Sequence, residues 1–89
     1  MTTVFIRHRV ADYDAWKAAF DDHGSVRREH GLVDNGLLRD EDDANMVTIQ
    51  LDTDDSGRAR EFLASDSLRE TMSRAGVVSQ PELWIANEA

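Results

Sequence analysis

The chain contains no cysteine. That excludes disulfides, a thiolate nucleophile and cysteine-ligated zinc. Positive charge is also scarce: 10 Lys and Arg stand against 18 Asp and Glu, for a formal net charge of −8. Nonspecific binding to DNA, RNA or an anionic membrane needs a basic face, so no nucleic-acid and no membrane partner is expected. No apolar run approaches the length of a membrane span, and the stretch from Met1 to Arg9 lacks the long apolar core of a signal peptide. A cytoplasmic protein is the default expectation. No G-x-S-x-G elbow, P-loop or dinucleotide fingerprint occurs. The 89 residues are read as one domain, residues 1–89, short enough to favour help from a partner subunit.

The most informative stretch that is present runs from Tyr13 to His30. On a helix, Tyr13, Trp16, Phe20, His23, Arg27 and His30 recur at spacings of three and four and form one stripe roughly 100° wide. Asp14, Asp21, Asp22, Ser25, Arg28 and Glu29 take the opposite side. The stripe changes from aromatic to basic along its length and holds no Leu, Ile or Val. Such a face fits the lining of a pocket as well as the edge of a core.

Thr3 to Val10 reads as a first strand, rich in β-branched residues. Asp12 is a suitable N-cap for the helix, and Gly31 stands where a helix-ending glycine belongs. Leu32 to Arg39 and Met46 to Leu51 read as a hairpin joined by the acidic loop Asp40 to Asn45. A second helical region runs from about Gly57 to Ala75, with a break at Ser65-Asp66-Ser67 and a capping box expected at Ser67 and Glu70. Gly76 ends it, and Glu82 to Asn87 is a last strand. Asp52 to Gly57 resembles the start of a calcium loop, but the twelfth position is Leu63 instead of the bidentate glutamate, so it is read as a helix cap.

The order β-α-β-β-α-β points to an α+β, ferredoxin-like fold. Its antiparallel four-stranded sheet has the spatial order 4-1-3-2 and carries both helices on one face. The second face then needs cover, because the strands are apolar on both sides. Val4 and Ile6 oppose Phe5; Val33 and Leu37 are expected to oppose Leu32 and Leu38; Leu83 and Ile85 oppose Trp84 and Ala86. A two-fold homodimer stacked sheet on sheet would bury that face.

Two runs carry a family resemblance. Asp12-Tyr13-Asp14-Ala15-Trp16-Lys17-Ala18-Ala19-Phe20-Asp21-Asp22-His23, following a first strand, resembles the small dimeric α/β-barrel proteins. So does Phe62-Leu63-Ala64-Ser65, followed by Leu68, Met72 and Ala75-Gly76-Val77. That group includes antibiotic-biosynthesis-monooxygenase-like domains and single-domain proteins often labelled cyclases. The resemblance implies a barrel formed across a homodimer, with a pocket between sheet and helices in each subunit. It also implies chemistry without a cofactor, since some members oxygenate or cyclise aromatic polyketides without metal or flavin, while others have no established activity.

Strand and helix rises place His8 near Trp16, Ile6 near Phe20 and Val4 near His23. Two candidate sites follow: one of His8, Tyr13, Trp16 and Trp84, the other of His23, Arg27 and Gln50. His8 is either a general base in an apolar cleft or a hydrogen-bonded core histidine. Arg27 either holds an oxyanion or pairs with a nearby carboxylate such as Asp34. Tyr13, Trp16 and Phe20 serve either as core or as a platform for an apolar, aromatic ligand, and Trp84 fits a pocket or a dimer interface. A metal site is not expected: His23 and His30 lie seven residues, roughly 10 Å, apart on their helix, and His8 is on another element.

Two functions remain open on these residues. One is a cofactor-free cyclase, isomerase or monooxygenase in which His8 or His23 takes a proton and Arg27 stabilises charge. The other is a non-catalytic ligand-binding or structural homodimer. A cavity that reaches both a histidine and Trp16 favours the first, and a filled core favours the second.

Overall fold

A computed structural model describes all residues, 1–89. The strands are β1 (Thr2–Arg9), β2 (Val33–Arg39), β3 (Met46–Thr53) and β4 (Glu82–Asn87). The helices are α1 (Tyr13–Asp22), α2 (Gly24–Glu29), α3 (Ser56–Leu63) and α4 (Asp66–Arg74). The sheet is antiparallel throughout, in the order β2-β3-β1-β4, which is the expected order read from its other edge.

The inner face of the sheet carries the core. Val4, Ile6 and His8 of β1 pair with Leu51, Ile49 and Val47 of β3, and all six are buried. Directly opposed residues share a face, so this register fixes one apolar surface against which Trp16, Leu32, Ala59 and Phe62 pack.

Three of the helices start on side-chain caps, and two stop at glycines. The Asp12 carboxylate accepts the Asp14 N–H at 3.2 Å and opens α1. The Asp55 carboxylate accepts the Arg58 N–H at 3.1 Å and opens α3, so Asp52 to Gly57 acts as a cap. The Ser65 hydroxyl accepts the Leu68 N–H at 3.2 Å and opens α4. This moves the cap two residues upstream of the expected Ser67, which instead sits in the first turn. Ser65 wins because its hydroxyl also donates to the Phe62 carbonyl at 2.7 Å, joining the end of α3 to the start of α4. Gly31 and Gly76 take left-handed backbone, with φ of 77° and 89°, where a side chain would be strained.

Two expectations need correction. The helix expected over Tyr13 to His30 divides at His23, whose φ and ψ are −93° and 9°. Gly24 follows, and glycine favours helix poorly. The His23 N–H is shared between the Ala19 and Phe20 carbonyls at 3.2 and 3.3 Å, and Arg27 N–H still reaches the His23 carbonyl at 3.1 Å. The axis loosens for one turn without losing its phase, so the stripe survives. The second correction concerns β2. Val33 pairs with Asp52, Asp34 with Leu51 and Leu37 with Ile49, with a bulge between Asp34 and Gly36. The extra residue, Asn35, reverses the alternation. Leu32 and Leu37 therefore face the helices, and Val33 and Leu38 face outward, 61% and 54% exposed.

The outer face has no helix over it. Phe5 and Trp84 stack there with ring centroids 5.2 Å apart and planes 6° from parallel. Thr48, Gln50 and Asp52 share that face, so it is mixed in polarity. No helix is long and apolar enough to cross a membrane.

Candidate functional site

A cavity of about 150 Å³ lies between the inner sheet face and the helices. Ile6, His8, Ile49 and Leu51 of β1 and β3 form its floor. One wall is Trp16, Phe20 and His23 of α1, continued by Val26 and Arg27 of α2. Phe62 of α3 closes one side, and Ser67, Leu68, Thr71 and Met72 of α4 face the first wall. The two sites expected from the sequence are thus one, and it brings His8, Trp16, Phe20, His23 and Arg27 together.

His8 is 2% exposed. Its ring meets Trp16 edge-on at 5.6 Å between centroids. Its Nδ1 is buried and has no hydrogen-bond partner. Burial pushes the imidazole below its ordinary pKa of 6.5, against a smaller raising effect of the backbone, so the ring is neutral near pH 7. Such a group is uncommon, because leaving a buried polar atom unpaired costs about 1–3 kcal/mol.

His23 is half-buried. Its Nδ1 lies 3.2 Å from the Ala19 carbonyl, four residues back on α1. A carbonyl only accepts, so Nδ1 carries the proton, and in the neutral ring Nε2 holds the lone pair. A backbone bond thus fixes the tautomer a general base requires.

Arg27 is 6% exposed. Its Nε and an Nη donate to the two Asp34 oxygens at 2.9 and 3.0 Å, and the other Nη donates to the Phe20 carbonyl at 2.8 Å. The guanidinium also lies 3.6 Å from the centre of the Phe20 ring. Of the two readings of Arg27, the geometry favours the carboxylate pair. Its charge is matched by Asp34, and it ties the end of α1 to β2 instead of standing free for an oxyanion.

Three expected residues lie elsewhere. Trp84 pairs with Phe5, not with Ile6, so it is on the outer face. Gln50 also pairs with Phe5 and projects outward, where its amide would collide with any Cβ at Gly36. Tyr13 packs beneath the Arg39 guanidinium, 3.7 Å from its ring centre, and supports Trp16 from behind at 5.9 Å. Sequence reasoning read Ser67 as a cap and named no α4 residue for the site. The spacing of Ser67, Leu68, Thr71 and Met72 already put them on one face, but nothing local showed that this face meets a cavity. No group of three or more His, Asp or Glu side chains is placed to hold a metal ion.

No family model matches the chain, and no curated protein does. Solved structures do match. SnoaB, a cofactor-independent oxygenase from Streptomyces nogalater, is 22% identical with a TM-score of 0.71, over 99% of this chain and 94% of its own. A Bordetella bronchiseptica protein provisionally named an antibiotic biosynthesis monooxygenase has a TM-score of 0.79 at 12% identity, over 99% and 96%. The chain has the fold of the antibiotic-biosynthesis-monooxygenase-like proteins. That fold is shared more widely: an uncharacterized NIPSNAP domain protein from Burkholderia xenovorans matches at 13% identity and a TM-score of 0.67, over 100% and 95%. Likeness at these identities speaks for the fold and leaves the reaction to the site itself.

Proposed function

We propose that this protein is a homodimeric small-molecule enzyme that works without a cofactor on an apolar, aromatic compound, by proton abstraction. The observation that carries the reading is the cavity that reaches Trp16 and two histidines, one with an unpaired buried nitrogen and one with its tautomer set. His23 Nε2 takes a proton from a phenol or an acidic C–H, and His8 hydrogen-bonds the polar group of the ligand. Cyclisation or isomerisation can follow from the resulting anion, and oxygenation can follow with dioxygen as the co-substrate and oxidant. The fold shared with a cofactor-independent oxygenase agrees with this chemistry. In the homodimer, the outer sheet face with Phe5, Trp84 and Leu38 packs against its copy.

Mass spectrometry of the native protein is expected to find an aromatic compound bound in proportion to subunits. With that compound as substrate, His23→Gln should lower turnover about 10²–10⁴-fold while the variant stays folded. Undiminished turnover in both His23→Gln and His8→Gln overturns proton abstraction and leaves a non-catalytic binder of the same fold. Sedimentation at micromolar concentration should give a dimer, and Trp84→Glu should weaken it. A stable, well-folded single subunit overturns the dimer.

A further inference from the structure

We infer that Asn35-Gly36 is a site of spontaneous covalent modification. The Gly36 main-chain nitrogen closes on the Asn35 side-chain amide, and position 35 passes to aspartate and isoaspartate. The conversion undoes the side-chain tie between β2 and Asp52. This inference is independent of the cavity and of what the protein acts on.

Three observations put the reaction here. Asn35 is the one asparagine of three that is followed by glycine; Asn45 precedes Met46, and Asn87 precedes Glu88. A side chain on the following residue crowds the attack on the amide, and glycine has none. Asn35 is also exposed, and it is the extra residue of the bulge, left out between the pairs Asp34–Leu51 and Gly36–Gln50. A residue outside the ladder can turn toward the closing geometry without giving up a cross-strand pair. Lastly, β2 is an edge strand, so its far side has no neighbour to hold it. Segments with few contacts open locally at little cost.

The glycine has a local reason of its own. A Cβ at position 36 would come within 2.7 Å of Gln50 Oε1, so the Gln50 amide lies where a larger residue would push it away. The residue that suits the bulge is thus the one that leaves the Asn35 amide open to attack.

In the first step a bond forms between Gly36 N and Asn35 Cγ, and the Cγ–Nδ2 bond breaks. The amide nitrogen leaves as ammonia, carrying the proton that Gly36 N gives up. Water then opens the five-membered ring. Cleavage at Cγ yields aspartate. Cleavage at the main-chain carbonyl yields isoaspartate, in which the chain runs through Cγ and is one carbon longer. Nothing is oxidised or reduced.

The product changes what holds β2. Asp52 Oδ1 accepts the Thr3 hydroxyl at 3.0 Å and the Asn35 amide at 3.2 Å. A carboxylate at position 35 has no N–H to give, so a hydrogen bond becomes a meeting of like charges across neighbouring strands. Asp34, the preceding residue, adds a third carboxylate, though Arg27 already matches its charge.

The test ages the whole native protein in mildly alkaline buffer, with a sample digested at once as baseline. Three tryptic peptides, 29–39, 40–58 and 75–89, carry Asn35, Asn45 and Asn87 separately. Peptide 29–39 should gain the mass of OH over NH2 and split into two products of equal mass, the isoaspartyl one in excess. Most of Asn35 should convert before any change is detectable at Asn45 or Asn87. Asn35→Gln, whose longer side chain closes a ring far more slowly, should leave that peptide unchanged. Gly36→Ala combined with Gln50→Ala, which makes room for the methyl group, should slow conversion. Asn35→Asp should unfold at lower urea than wild type, and adding Asp52→Asn, which moves the N–H donor to the other side of the pair, should restore most of the loss. Native Asn35 that outlasts ageing as Asn45 and Asn87 do, while the urea-unfolded chain converts there, overturns the site. Aspartate without isoaspartate overturns ring closure in favour of direct hydrolysis. An unchanged rate in Gly36→Ala with Gln50→Ala overturns the part given to glycine. If Asn35→Asp unfolds together with wild type, the tie to Asp52 holds nothing and that consequence falls.

Discussion

The two walls of the cavity are held in different ways. The α1–α2 wall is rooted. Trp16 is 3% exposed and packs on His8 and Phe20, and Arg27 binds back to β2 through Asp34. The α4 wall faces it with no buried residue at all. It is fixed at its ends, by the Ser65 cap and by Gly76, and rests in between on half-buried Leu68, Thr71 and Met72. His23 belongs to the rooted wall, and His8 stands on the sheet beneath it. On the proposed reading, the groups whose position matters to proton transfer sit on rigid elements, and α4 is the element a ligand would displace as it enters.

Removing the root should have the largest effect. Trp16→Ala is expected to cost about 3–5 kcal/mol in urea unfolding, a large share of the stability of a domain this size. Next comes Asp34→Ala, which leaves the Arg27 guanidinium without its carboxylate. Asp34 is itself half exposed in its side chain, so the cost should be about 1–2 kcal/mol, below that of a fully buried pair. An Asp34→Ala protein as stable as wild type would show that α2 is not held by this pair.

A smaller effect is carried by pH. His8 is held below its ordinary pKa of 6.5. The unfolded chain therefore takes up a proton there as pH falls below about 6.5, while the folded chain does not. The stability from a neutral His8 is complete above that pH and declines as pH falls toward the lowered folded value. Between pH 7.5 and 5.5, wild type should lose stability faster than His8→Leu, by at most about 1.4 kcal/mol per pH unit. Parallel curves would mean that His8 charges as easily in the fold as in water. The smallest change is expected on the other wall. Met72→Ala should cost less than about 1 kcal/mol, and α4 amides should exchange hydrogen faster than those of α1. Equal protection in the two helices would erase the contrast.

Much of the rooted wall was legible in the sequence. Tyr13, Trp16, Phe20, His23, Arg27 and His30 are all buried or half-buried, and the six residues assigned to the opposite side are all exposed. The pattern crosses the loosened turn at His23 because the four-residue step to Arg27 is kept by a backbone bond. Asp34 was also named as a partner for Arg27, as one example among many local carboxylates. What could not be read depended on long-range register. β4 is apolar on both faces, so only its pairing with β1 decides that Trp84 faces away from the cavity. β2 looked regular because a bulge has no fixed composition and is set by the strand beside it. The opening between α1 and α4 is the space left where two amphipathic faces meet imperfectly, and neither face alone encodes it.

The bulge at Asn35 also bears on how this chain can vary in length. Without Asn35, β2 would pair as a regular strand, with Leu32, Asp34 and Leu37 still turned toward the helices. Loss of Val33 instead would send Leu32, now fully buried, out into water. A deletion at the first position is nearly silent and at the second ruinous, though only one residue separates them. Drift in the length of this edge strand is therefore channelled through a single position, and the anchor of Arg27 can outlast it.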